Sequence, residues 1–211
     1  MTDTDRRVTF FHSPRSRSAG VRILLEELGA DYELHELSTR AGDTRKPEYL
    51  AVNPMGKVPA ILHRGQLVTE QAAVYMYLAE LYPEKRLSPP VGDLLRGPYL
   101  RWMVFYGSCF EPALVDRALK REPAPASTSP YGEFDTMFDT LDRQLAQGDW
   151  LLGERFTAAD VLWGSALGWT LNWNLIPETP RVRAYIDRLE ARPAVMRARE
   201  ADKALAARLG A

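Results

Sequence analysis

Cysteine is nearly absent: Cys109 is the only one in 211 residues, beside three scattered histidines. A single thiol excludes an internal disulfide and any metal cage built of cysteines alone. The histidines form no cluster with metal-ligand spacing, so no metal is expected. A charge bias is lacking too, with 27 Lys and Arg against 28 Asp and Glu. A protein that grips nucleic acid or an anionic membrane carries a basic patch, so neither partner is expected. No segment has the run of about 20 apolar residues needed to cross a bilayer. Met1 to Arg7 is polar, with no apolar run behind it long enough for a signal peptide. A cytosolic location is the expectation.

What is present is ordinary globular material, 45% apolar and 26% charged, in a length that suits two small domains. Val8 to Phe11 is a β-branched and aromatic run, hence a strand. The turn His12-Ser13-Pro14-Arg15-Ser16-Arg17-Ser18 follows, and then Val21, Leu24, Leu25 and Leu28 repeat at helical spacing up to Gly29. Tyr32 to Leu37 alternates as a second strand, and strand, helix, strand at this length is a right-handed βαβ unit. A short helical turn is expected near Pro47 to Ala51.

Asn53-Pro54-Met55-Gly56-Lys57-Val58-Pro59 leads into two short strands, Ala60 to Leu62 and Gln66 to Thr69, joined by a tight turn. Pro59 at the first position of its strand does least harm to a sheet, and a cis Val58–Pro59 bond is plausible there. The backbone of Val58 would then face away from the sheet, able to pair with an extended peptide. Glu70-Gln71 opens an apolar helix to Tyr82. A helix N-terminus favours a carboxylate, and Glu70 can take an ammonium. A backbone-pairing edge beside a zwitterion site suits a small peptide.

The prolines of Pro83 to Pro90 mark a boundary, after which no strand pattern appears. Tyr99, Trp102, Met103, Tyr106, Cys109 and Phe110 lie at helical spacing, and Pro112 should interrupt that helix. Glu122 to Pro130 reads as a loop, and Phe134, Phe138, Leu141 and Leu145 mark the next helix. In Phe156-Thr157-Ala158-Ala159-Asp160-Val161, Thr157 caps a helix, Asp160 answers it at N3, and Phe156 with Val161 forms a hydrophobic staple. No chemistry is assigned to Asp160. Helices near Arg181–Arg192 and Pro193–Leu209 end the chain.

The order Asn-Pro-x-Gly-Lys-Val-Pro, an acidic residue twelve positions after the Val, and an apolar helix resembles the cytosolic glutathione S-transferases. The Phe156–Val161 motif is similar to the cap in the core of their helical domain. The resemblance implies a thioredoxin-like α/β domain at 1–82, a linker at 83–90 and an all-helical domain at 91–211. It also implies glutathione as co-substrate, a small electrophile as second substrate, and a homodimer.

That reaction needs glutathione as thiolate, because the anion is the nucleophile. A free thiol has a pKa of about 8.5, so half ionisation at neutral pH requires about 2 kcal/mol. One hydrogen bond to a charged group supplies roughly 1.5–3 kcal/mol. Ser13, Ser16 and Ser18 offer three hydroxyls at the start of the first helix, where they could equally serve as caps. Serine-using relatives carry the hydroxyl two residues after a Pro that follows the first strand, which selects Ser16. Ser18 is second, one residue beyond the site where cysteine-using bacterial relatives have their Cys. Arg17 stands at that site, so no mixed disulfide with glutathione forms there, and Phe10 and Phe11 take the place of a tyrosine.

By the same resemblance, Val58 with Pro59 pairs with the cysteinyl backbone and Glu70 takes the γ-glutamyl ammonium. The N–H of Gln71 holds the adjoining carboxylate, although many relatives have Ser there. Lys57 and Arg40 are candidates for the glycyl carboxylate. The electrophile's pocket is expected between the domains, against the Tyr99–Phe110 helix and Trp163, Trp169 or Trp173. Such an aromatic stripe also suits a core, and Cys109 is expected to be a buried apolar residue. Rival readings are glutathione-dependent disulfide or peroxide reduction and a non-catalytic module for protein contacts. The missing Ser-Ser-Cys signature argues against a zeta-type isomerase.

Overall fold

The β-branched run at Val8 forms an interior strand of its sheet, with four of its five residues buried. In the computed structural model, which describes residues 3–122 and 124–210, β1 (Val8–His12) has Phe10 fully buried. It is preceded by a short helix α1 (Asp3–Arg6) and followed by α2 (Ser18–Leu28), which ends on a left-handed Gly29. Strand β2 (Tyr32–Glu36) pairs parallel to β1, with Phe10 opposite Leu34. After the 3-10 turn Asp43–Arg45 and α3 (Pro47–Leu50), the chain returns as β3 (Ala60–His63) and β4 (Gln66–Val68). Both pairings are antiparallel, giving the order β2-β1-β3-β4. Arg64 and Gly65, both at positive φ, make the two-residue turn of the hairpin. Helix α4 (Gln71–Leu81) then packs beside α2. This is the thioredoxin-like arrangement, with the small apolar cluster of Phe11, Leu37, Tyr49 and Ala60 under the loop before β3.

The described chain divides into two compact units, Met1–Lys85 with Ala191–Ala211, and Arg86–Glu190. The second is helical: α5 (Arg96–Phe105), α6 (Glu111–Ala118), α7 (Phe134–Gln144), α8 (Ala158–Asn172) and α9 (Pro180–Glu190). Pro112 does interrupt the first of these. It has no N–H to give Ser108 and would crowd that carbonyl, and a π turn at Tyr106–Phe110 absorbs the break between α5 and α6. Of the expected loop from Glu122 to Pro130, Pro123 lies outside the described residues. Trp163 of α8 is buried and meets Trp102 edge-on at 5.7 Å, while its indole N–H donates to the Trp102 carbonyl. A Cβ on Gly164 would come within 2.5 Å of Leu189, so α8 and α9 pack as closely as they do only with glycine there.

The last helix, α10 (Pro193–Leu209), belongs by packing to the first unit, where it lies along α2. Arg192 holds Glu27 with two hydrogen bonds at 2.6 and 2.8 Å, Arg197 reaches Glu26, and Arg208 reaches Glu36 on β2. No helix among the described residues is long and apolar enough to cross a membrane.

Candidate functional site

Strand register decides which loops meet. Because β1 and β2 are parallel, their C-terminal ends lie side by side. Phe11 of β1 faces Ala60, so the start of the antiparallel β3 lies at that same end. Ile61 faces Val68, which brings the end of β4 and the start of α4 there as well. One end of the sheet therefore carries His12–Ser18, Ser38–Arg40, Val58–Pro59 and Glu70–Gln71. The side-chain amide of Gln71 donates to the Arg17 carbonyl at 3.2 Å and ties two of these loops together.

The three serines fold onto one another. Ser16 Oγ donates to the Ser13 carbonyl at 2.7 Å and accepts the Ser18 N–H at 3.2 Å, so it does provide one bond to the first turn of α2. Ser18 is fully buried; its Oγ accepts the Ser13 N–H at 3.1 Å and lies 2.7 Å from Ser16 Oγ. Ser13 is also buried, and its Oγ accepts the Thr39 N–H. Ser16 alone of the three is partly exposed, so it is the hydroxyl that a ligand at this end of the sheet can meet.

Two further residues of the cluster were not singled out from the sequence. His12, buried at the end of β1, lies with Nδ1 2.8 Å from Ser18 Oγ. Its Nε2 is 2.7 Å from Oδ1 of Asp202 on α10. That pair is a close electrostatic contact rather than an aligned hydrogen bond. The other Asp202 oxygen accepts the Arg15 N–H at 3.5 Å. A histidine closing an aromatic strand was the one available signal, and nothing in the sequence links it to a residue 190 positions away.

Val58–Pro59 is cis, as a Pro at this strand start suggested, and Val58 lies ahead of the ladder that begins at Ala60. The loop before it is held by the Lys57 carbonyl, which accepts from Tyr49 Oη at 2.6 Å and Asn53 Nδ2 at 2.9 Å. Gly56 has φ of 59°, and a Cβ there would strike the Thr44 carbonyl at 2.6 Å. The Lys57 side chain is exposed, while Arg40 donates to the Gly210 carbonyl at the end of α10.

Glu70 precedes α4 with φ 62° and ψ 116°, outside the regions open to a residue with a Cβ. Holding such a backbone costs about 1–3 kcal/mol, and strain of this kind gathers at ligand sites. Its carboxylate is exposed beside a helix start, where the dipole and first-turn N–H groups favour an anion.

In the second unit, Tyr99, Trp102, Tyr106 and Trp163 are core, whereas Trp173 is 73% exposed. The Tyr106 hydroxyl donates to Glu111. Cys109 corrects the expectation of burial. The π turn has a longer period than an α-helix, so Tyr106 and Phe110 share the buried side and Cys109 is left half-exposed, its thiol 3.4 Å from the Pro130 carbonyl. Among the described residues no group of three His, Cys, Asp or Glu is placed to hold a metal.

Two family models match the chain: "Glutathione S-transferase, N-terminal domain" over residues 6–80 and "Glutathione S-transferase, C-terminal domain" over residues 131–188. The glutathione transferase of Methylococcus capsulatus str. Bath is 32% identical with a TM-score of 0.79, covering 93% of this chain and 98% of that one. A sphingomonad glutathione S-transferase complexed with glutathione is 31% identical with a TM-score of 0.75, covering 92% and 98%. Glutathione S-transferase GstA of Escherichia coli O157:H7 is 28% identical over 199 residues, 91% of this chain and 97% of its own.

Proposed function

Because this chain belongs to the glutathione S-transferase family, we propose that it is a cytosolic homodimer that conjugates glutathione to small electrophiles. The observation that carries the reading is the meeting of the Ser16 loop, Val58–Pro59 and the start of α4 at one end of the sheet. Glutathione lies there extended, its cysteinyl backbone paired with Val58. Its γ-glutamyl ammonium faces Glu70, and its neighbouring carboxylate faces the start of α4 at Gln71. Lys57 meets the glycyl carboxylate, with Arg40 as a second cation nearby. The cysteinyl sulfur then falls by Ser16, whose hydroxyl donates to the thiolate. The anion attacks the electrophilic carbon and forms the S–C bond as a leaving group departs with its electron pair, or as the π pair of an activated double bond shifts away and takes up a proton.

Glu70→Ala should weaken glutathione binding roughly ten- to hundredfold, since a charge-assisted bond is lost. Glu70→Gly should weaken it equally while raising the melting temperature, because glycine relieves the backbone strain. Calorimetry decides the matter, and unchanged affinity in both variants would remove Glu70 from the site. Turnover of an electrophile panel, set beside a glutathione disulfide substrate, separates conjugation from thiol-disulfide exchange.

The homodimer is supported by Leu100 and Val104, which sit one turn apart on α5 and are 36% and 58% exposed. Light scattering at micromolar concentration should give twice the 23.8 kDa mass of the chain. A single-chain mass would sink the dimer.

A further inference from the structure

The buried cluster behind Ser16 does more than support a loop. Ser18 Oγ has one proton and two lone pairs. The Ser13 N–H takes one lone pair, which leaves one acceptor site and one proton for His12 Nδ1, Ser16 Oγ and the Ser13 carbonyl, at 2.8, 2.7 and 3.1 Å. Only two wirings use the whole chain. In one, the Ser16 hydroxyl turns from the Ser13 carbonyl, 2.7 Å away, to donate to Ser18, and Ser18 donates to Nδ1. In the other, Nδ1–H donates to Ser18, Ser18 donates to Ser16, and the Ser16 proton points outward. The second holds one proton more than the first, entering at Ser16 and appearing on Nδ1.

We propose that Asp202, His12 and Ser18 form a proton relay that lets Ser16 take up the thiol proton of bound glutathione. The proposal rests on the reading of the site given above. The glutathione S–H bond breaks as its proton passes to Ser16 Oγ; Ser16 gives its own proton to Ser18, and Ser18 gives its own to Nδ1. Both hydroxyls are regained, one S–H bond is lost, and one N–H bond is made. The result is a thiolate held by Ser16 and an imidazolium held against Asp202. After conjugation the same row returns the proton to water. His12 and Asp202 are positioning residues, since neither meets the ligand.

Burial makes the arrangement selective. His12 is fully enclosed, and a charged ring there is tolerable only beside an anion. The groups facing it are Asp202 on α10 and Glu36 at the end of β2. Glu36 is held below its ordinary range, first by the hydrogen bond from Arg208 and also by the charge of Arg22 on α2. Asp202 is thus the anion not already paired with an arginine.

The test is Asp202→Asn, with Ser18→Ala and the double variant, read as the thiolate absorbance of the glutathione complex against pH. A relay predicts that Asp202→Asn raises the midpoint by about one unit, a tenfold loss of thiolate below it, with glutathione affinity retained. Action through space predicts the opposite sign, because removing a nearby negative charge favours the thiolate. In the Ser18→Ala background the Asp202 effect should vanish, since the row is already cut. A lowered or unmoved midpoint in Asp202→Asn, or a shift that persists without Ser18, overturns the relay.

Should Ser18→Ala fail to fold, nitrogen NMR of the wild-type His12 ring gives the answer. It should show Nε2–H alone without ligand and both nitrogens protonated in the thiolate complex. A proton on Nδ1 alone overturns the wiring. Absence of glutathione binding in wild-type calorimetry defeats the function and the relay together. Binding with the wrong sign in Asp202→Asn defeats the relay only.

Discussion

Asp160→Ala should lower stability by about 3–5 kcal/mol. The carboxylate is fully buried and accepts from the Leu151 N–H at 2.7 Å, the Thr157 N–H at 2.7 Å and the Tyr185 hydroxyl at 2.8 Å. The Thr157 hydroxyl also donates to it, at 3.1 Å. Alanine leaves all of these donors without their acceptor in a dry interior, and each orphan costs about 1–3 kcal/mol before relaxation. Tyr185 has no alternative as an anion, because burial and the Asp160 charge hold its phenol far above the usual range. At about 2–4 °C per kcal/mol for a chain of this size, the melting temperature should fall by roughly 6–20 °C. Asp160→Asn should lie between, since it keeps one acceptor oxygen and turns an amide toward Thr157. A loss under about 1 kcal/mol in thermal unfolding of Asp160→Ala would mean that water replaces the carboxylate. The network joins the start of α8 to α9 and the loop at Leu151, so the role is structural throughout.

Ser16→Ala should raise the thiol pKa of bound glutathione by about one to two units while leaving its affinity largely intact. The hydroxyl donates to the anion and has little to offer the neutral thiol, so its removal costs only the charged state. At neutral pH the thiolate fraction and the conjugation rate should fall together, roughly five- to fiftyfold from a half-ionised thiol. Thiolate absorbance against pH reads the first and steady-state turnover the second. Ser18→Ala should move the curve less, because Ser18 is buried behind Ser16 and acts through it. A shift in Ser18→Ala with none in Ser16→Ala would transfer the thiol contact to Ser18. If neither variant moves it, backbone N–H groups at the start of α2 hold the sulfur, and Ser16 is a cap.

Local signals in the sequence were strong where one short stretch contained both partners of an interaction. Gly29 ends α2 in the left-handed conformation, Arg64-Gly65 turns the hairpin, and Asp160 answers Thr157 across three residues. Periodicity misplaced Cys109 because the count of 3.6 fails across the π turn that Pro112 demands. The staple partner Phe156 turns its ring to Trp150, 4.7 Å away. That contact depends on how the loop before α8 closes, which no spacing records.

The sequence by itself determined most of the elements, because these rest on neighbours in the chain and on backbone rules for Pro, Gly and capping residues, and its motif from Asn53 to Gln71 carried the family resemblance. Only the tertiary structure decided the strand register that gathers four loops at one end of the sheet. It also set α10 against α2 and so brought Asp202 to His12. The reason is range: a hydrogen bond or ion pair acts over a few ångströms, and residues 190 apart share that distance only once the core has packed.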